Sequence, residues 1–108
     1  MGEMAELTPR QRAHLKGLAH HLNPVVHIGK DGLSDAVKAQ INDALEHHEL
    51  IKVKLGDNAP LDRDATTTEL PAAVGADLVQ NLGRLFVLYR ANPDDPKIVL
   101  PKPAVPEE

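Results

Sequence analysis

Four residues, Gly29-Lys30-Asp31-Gly32, carry the strongest hint of chemistry in this chain. The β-branched run Val25-Val26-His27-Ile28 precedes them, and Leu33-Ser34-Asp35 follows, with Ser34 in the capping position of a helix. A strand, a G-x-x-G turn and a helix N-terminus therefore meet at one point. Unpaired backbone N–H groups and the positive end of the helix dipole face that point. The two glycines permit φ > 0 and close approach by another backbone. Such a corner suits a phosphate, and Lys30 adds a mobile cation at its tip. A structural turn uses the same residue types, so the pattern on its own leaves both readings open.

A second group lies upstream. At about 100° per residue, Arg12, Lys16 and His20 fall within about 80° of one another on a helix, beside the apolar stripe rather than opposite it. A cationic row in that place can meet a ligand that also touches neighbouring elements; an ordinary solvated face is the alternative. Gly17 interrupts the same helix at a cost of roughly 1 kcal/mol relative to alanine. Either tight packing or close approach by a nucleic-acid backbone accounts for it. Lys52 and Lys54, with Arg84 and Arg90, could extend a basic surface, although outward lysines also protect strands from edge pairing.

Enzymatic chemistry finds little support. The only serine, Ser34, is used as a helix cap, cysteine is absent, and no carboxylate pair has acid/base spacing. The G-x-x-G lacks the G-K-[ST] ending of a phosphate-binding Walker loop and the G-x-G of a dinucleotide fingerprint. His20-His21 and His47-His48 are adjacent pairs, which diverge on a helix and cannot chelate one ion as H-x-x-x-H does. His48 shares the face of Val37, Ile41 and Leu45, which predicts a packed histidine. A zinc site assembled from several elements is the remaining metal reading; the expectation is no metal, no cofactor and no enzyme.

The chain has 108 residues, enough for one domain on a single core. Without cysteine, disulfides and thiolate metal sites are excluded, and a cytoplasmic home is expected. Residues 1–6 are too acidic and polar for a secretory signal, and no apolar run reaches bilayer length. With one Phe and one Tyr, base stacking on an RNA-recognition-motif sheet or an OB-fold is disfavoured. The net charge of −4 also opposes nucleic acid, but residues 1–56 hold seven Lys/Arg against seven Asp/Glu and all six histidines. Any binding face must therefore be local.

These residues need elements to position them. Thr8-Pro9-Arg10-Gln11 predicts a capped helix start, with Leu15, Leu18, Ala19 and Leu22 continuing to about His21. A second helix spans about Asp35 to His47. Leu50 to Leu55 alternates as a strand, with Ile51, Val53 and Leu55 inward and Lys52 and Lys54 outward. Leu61 to Val74 reads as a helix kinked or restarted at Pro71 and stopped by Gly75. Ala76–Leu82 and Leu85–Tyr89 form a hairpin turning at Gly83-Arg84. The order is α-β-α-β-α-β-β, an α/β domain with a mixed four-stranded sheet and helices packed on it. In the proline-rich tail from Asn92, Ile98-Val99-Leu100 is expected to dock on the domain edge and Pro101 to Glu108 to be disordered.

The runs Leu7-Thr8-Pro9-Arg10-Gln11-Arg12, Leu15-Lys16-Gly17-Leu18-Ala19-His20 and Pro24 to Leu33 carry a family likeness, continued at Ala44 to Lys54, Gly75-Ala76 and Leu82 to Arg90. Together they closely resemble the YhbY-like CRM domain, a family named for chloroplast RNA splicing and ribosome maturation, in its stand-alone bacterial form. The resemblance implies a fold similar to the C-terminal domain of translation initiation factor three, over residues 7–91, with 92–108 as a tail. It implies RNA as partner, namely large-subunit ribosomal RNA or a pre-ribosomal particle, with the protein a monomer assisting assembly and no membrane involved. RNA contacts are expected at Gly29, Lys30, Asp31 and Gly32, at Arg12, Lys16 and His20, and at Lys52, Lys54 and Arg84. A protein–protein adaptor on the assembling ribosome is the alternative. Two positions depart from the family pattern. Asp31 puts a negative charge in the loop unless its side chain caps the backbone, and Pro71 interrupts the third helix.

Overall fold

The computed structural model describes residues 7–94 and 96–100, so the expectation for Pro101 to Glu108 lies outside it. Seven elements follow in the order α1 (Pro9–Ala19), β1 (Pro24–Ile28), α2 (Asp35–His48), β2 (Leu50–Leu55), α3 (Arg63–Val74), β3 (Asp77–Leu82) and β4 (Leu85–Tyr89). They build one mixed sheet of strand order β1-β2-β4-β3, parallel between β1 and β2 and antiparallel elsewhere. The α/β order and the four-stranded mixed sheet are those expected from the sequence.

Local chemistry starts each helix. In α1, the Thr8 hydroxyl accepts from Gln11 N at 3.0 Å while Gln11 Oε1 accepts from Thr8 N at 3.1 Å, a reciprocal capping box with Pro9 at the first helical position. Ser34 caps α2 through Val37 N at 3.2 Å, and Asp62 caps α3 through Ala65 N at 2.7 Å. The third helix runs unbroken through Pro71 and stops at Gly75, whose φ of 62° is left-handed. Its threonines do not break it. The hydroxyls of Thr66 and Thr67 donate back to the carbonyls of Asp62 and Asp64 at 2.7 and 2.6 Å, which satisfies them inside the helix.

Helices cover both faces of the sheet. On one, α2 and α3 bury Ile41, Leu45, Leu70 and Val74 against Val26, Ile28, Ile51, Val53, Leu55, Phe86 and Leu88. On the other, α1 packs Leu15 and Ala19 on Leu50, Val79, Val87 and Tyr89, joined by Leu22, Ile98 and Leu100 from the flanking chain. Ile98 and Leu100 of the tail thus dock, on the α1 face rather than the expected edge, and Val99 is exposed. Burial on both faces corrects one expectation: Lys52 does not point to solvent. It is buried at 9 % exposure on the α1 face, and its ammonium donates to the Leu22 carbonyl at 3.0 Å.

One more expectation changes. His48 is exposed, because the chain leaves the helix one residue later and the core ends at Leu45. The buried residue at that corner is Glu49, fully enclosed and at a φ of 62°. Its Oε2 accepts from Asn92 N at 2.6 Å, and its Oε1 from Lys97 N and Ile98 N at 2.9 and 2.8 Å. Burial pushes this carboxyl up, but the three backbone donors and the nearby charge of Lys97 outweigh it and hold the group below its ordinary 4.5. The carboxylate is the post to which the tail is tied.

Candidate nucleic-acid interface

The G-x-x-G turn sits where expected, between β1 and α2. Gly32 N donates to Gly29 O at 2.9 Å, closing the turn and presenting Lys30 and Asp31 to solvent. The two glycines serve different ends. Gly32 has φ of 63°, and a Cβ there would stand 3.0 Å from Pro60 Cγ, so the fold itself requires it. Gly29 has no positive φ, and a Cβ there would meet nothing within 4 Å. Nothing among the described residues accounts for glycine at 29.

Neighbouring loops complete this end of the sheet. Gly56 N donates to Ile28 O at 2.8 Å, and a Cβ on Gly56 would lie 2.9 Å from that same oxygen. The β2–α3 loop is thereby pressed against the G-x-x-G. Arg84 in the β3–β4 turn donates from Nη1 to Gly56 O at 3.1 Å and pairs through Nε with Asp57 at 3.2 Å. Its charge is therefore largely spent on the loop beside it. Asp31 is exposed and caps no backbone group among the described residues. Asp35 lies at the start of α2, 3.6 Å from Lys38. With Asp31, Asp35 and Asp57 nearby, the loop tip offers close approach more than net positive charge.

Positive charge gathers instead on the α1 side. Helix α1 carries Arg10, Arg12, His14 and Lys16 and no acidic residue, with His20 and His21 in the turn that follows. Lys16 and Lys54 are exposed and bond to nothing among the described residues. Strand register pairs His27 with Lys54, so both stand on this face. The opposite side, α2 and α3, carries Asp35, Asp43, Glu46, Asp64 and Glu69. The molecule is polar in charge although its total is −4.

Arg12 also has a duty inside the fold. The register shift between Leu78 and Gln80 interrupts the β3 ladder. Arg12 Nη1 donates to the Leu78 carbonyl and, at 3.3 Å, to that of Val79, pinning α1 to β3. Arg90 has a similar duty, donating to Val74 O and Asn42 Oδ1 at 2.8 Å each. Of the ten expected contacts, then, Lys16, His20, Lys30 and Lys54 stand open to solvent, while Arg12, Lys52 and Arg84 also hold the fold together. His21 and His27 belong to the basic face and were missed, because a lone strand or turn does not reveal which face a histidine takes. No three His, Asp or Glu residues converge to hold a metal ion among the described residues, and none of the described helices is long and apolar enough to cross a membrane.

Comparison with known proteins agrees with this architecture. The chain is 47 % identical over 102 residues to a protein of Haemophilus influenzae named RNA-binding protein, covering 92 % of this chain and 99 % of that one. It is 38 % identical over 95 residues to YqeI of Bacillus subtilis, named as a probable RNA-binding protein, covering 88 % and 99 % of the two chains. A solution structure of a hypothetical Staphylococcus aureus protein, described as a candidate RNA binder, superposes with a TM-score of 0.73 at 38 % identity, over 88 % of this chain and 99 % of that one. The model of the CRS1 / YhbY (CRM) domain matches residues 7–90. A capped basic helix, a G-x-x-G between β1 and α2 and the mixed sheet order thus stand together in a chain that belongs to the CRS1/YhbY (CRM) domain family.

Proposed function

We propose that this chain is a non-enzymatic RNA-binding protein that acts on large-subunit ribosomal RNA during ribosome assembly. The single observation that carries the reading is Gly29, a glycine with ordinary φ and open space around it, next to the exposed Lys30. A position that gains nothing inside the protein from lacking a side chain is one that another backbone can approach. The relatives named as RNA-binding proteins support RNA as that backbone. Gly29 and Lys30 hold the sugar-phosphate chain, with Gly32 setting the shape of the turn, much as a KH-type loop clamps nucleotides. Lys16, Lys54 and the histidines add contacts that position the RNA and carry little sequence information.

The test is salt dependence. With roughly three to five phosphate contacts, log affinity for a single strand falls with log salt at a slope of about −0.7 per contact. Lys30→Glu is expected to lower that slope by about 0.7 and to weaken all RNAs alike. A flat salt response removes the reading; loss confined to one sequence shows base contact instead.

One observation favours a protein partner as well. An apolar groove of about 420 Å³ lies on the α1 side, lined by Leu18, Leu22, Val25, Leu50 and Ile98. Co-sedimentation with the large subunit before and after ribonuclease treatment separates the two: retention after RNA removal favours the adaptor.

A further inference from the structure

Glycine in the middle of a helix weakens it relative to alanine, so Gly17 in α1 needs a reason. Tight packing is not the reason, since an added Cβ there meets nothing among the described residues within 4 Å. Backbone conformation is not either, because Gly17 is absent from the residues with positive φ. The position faces a depression of about 500 Å³ between the end of α1 and the sheet. Its walls are Lys16, His20 and His21 on one side, and Lys52, Gln80 and Leu82 on the other. No carboxylate lines it among the described residues.

We infer that this depression is a seat for an RNA phosphate, with the backbone passing directly over α1 at Gly17. The inference rests on the RNA-binding reading above and names a second contact within it, on the opposite side of β2 from the core that carries the G-x-x-G helix. Five side chains in the seat can donate to a phosphate. Lys16 is exposed and without a partner among the described residues. Lys52 spends one of its three N–H donors on Leu22 O at 3.0 Å and is held in place by that bond. The His20 and His21 rings meet edge to face with centroids 5.2 Å apart, and both residues line the depression. Gln80 adds a neutral amide, and Leu82, half exposed, offers an apolar wall to the ribose. The C-terminal end of α1 opposes an anion with about half a negative charge. The two lysines alone outweigh it. A side chain at 17 would stand between the phosphodiester and these donors; its absence lets the two surfaces meet.

The experiment compares Gly17→Ala, Gly17→Gln and Gly29→Ala with the parent chain. Binding is measured to a labelled mixed-sequence single-stranded RNA of fifteen nucleotides and to a mixed-sequence RNA hairpin, with melting temperatures in parallel. Gly17→Ala is expected to melt at the same temperature or higher and to bind both RNAs at least threefold more weakly, and Gly17→Gln to bind more weakly still. A lower melting temperature for Gly17→Ala assigns the glycine to the fold and overturns the inference. So does unchanged binding by both Gly17 variants; if Gly29→Ala is weakened in that same experiment, the loop reading stands and only this seat is lost. Failure of the parent chain to bind either RNA removes both.

Discussion

Glu49→Ala is expected to lower the stability of the protein by about 3 kcal/mol, among the largest single-residue effects in the chain. The substitution takes away the acceptor for three backbone N–H groups, those of Asn92, Lys97 and Ile98. Hydrogen bonds to a charged acceptor are worth about 1.5–3 kcal/mol each, but the tail can detach and regain water, which caps the loss. Detachment also takes Ile98 and Leu100 out of the α1 cluster. Urea denaturation measures the loss, and amide exchange at Lys97 and Ile98 reports whether the tail is free. An unchanged urea midpoint would show that the strap contributes nothing.

The same carboxylate predicts an acid response of definite sign. Its folded value lies below 4.5, so the stabilisation it provides is fully present above that pH and disappears as pH falls through the folded value. The stability gap between the parent chain and Glu49→Ala is therefore expected to be largest near neutral pH and to close in strong acid. A gap that widens on acidification would mean the group is protonated in the folded protein.

Gly32→Val is the second large effect, about 2–3 kcal/mol of destabilisation. The valine would have to hold φ of 63° and bring its Cβ to 3.0 Å from Pro60 Cγ. Since Gly32 N closes the turn on Gly29 O, the loop cannot relax without losing that bond. RNA affinity should fall with stability. Gly29→Ala makes the contrast: it is expected to unfold at the parent's urea concentration while binding RNA several-fold more weakly. Equal stability of Gly32→Val and the parent, or a clear loss for Gly29→Ala, would reverse the roles assigned to these two glycines.

Much of this architecture was readable before the fold was known, and the readable parts share a cause. Helix starts depend on side chains bonding to backbone within three residues, so Thr8 and Ser34 act in the chain much as they would in a peptide. Gly75 ends α3 for an equally local reason. Strand β2 and its outward Lys54 are legible in the sequence, but the fate of Lys52 is not, because alternation assumes that one face of a strand is wet. Here α1 lies over the far face and takes Lys52 in, leaving only Lys54 exposed. Arg12 illustrates the same limit. Its position beside the apolar stripe was visible, whereas the interrupted ladder that receives its guanidinium belongs to a strand 66 residues away.

Local residue order by itself determined where helices begin, where turns fall and that a glycine-lysine turn opens a helix, since each depends on bonds between neighbours. Tertiary structure alone decided which charges face outward and which are consumed. Glu49 became a buried anchor, His48 an exposed side chain, and Gly17 the open floor of a cationic depression. Those outcomes follow from which segments cross over each face of the sheet, and pairing between distant strands, rather than any nearby residue, sets that crossing.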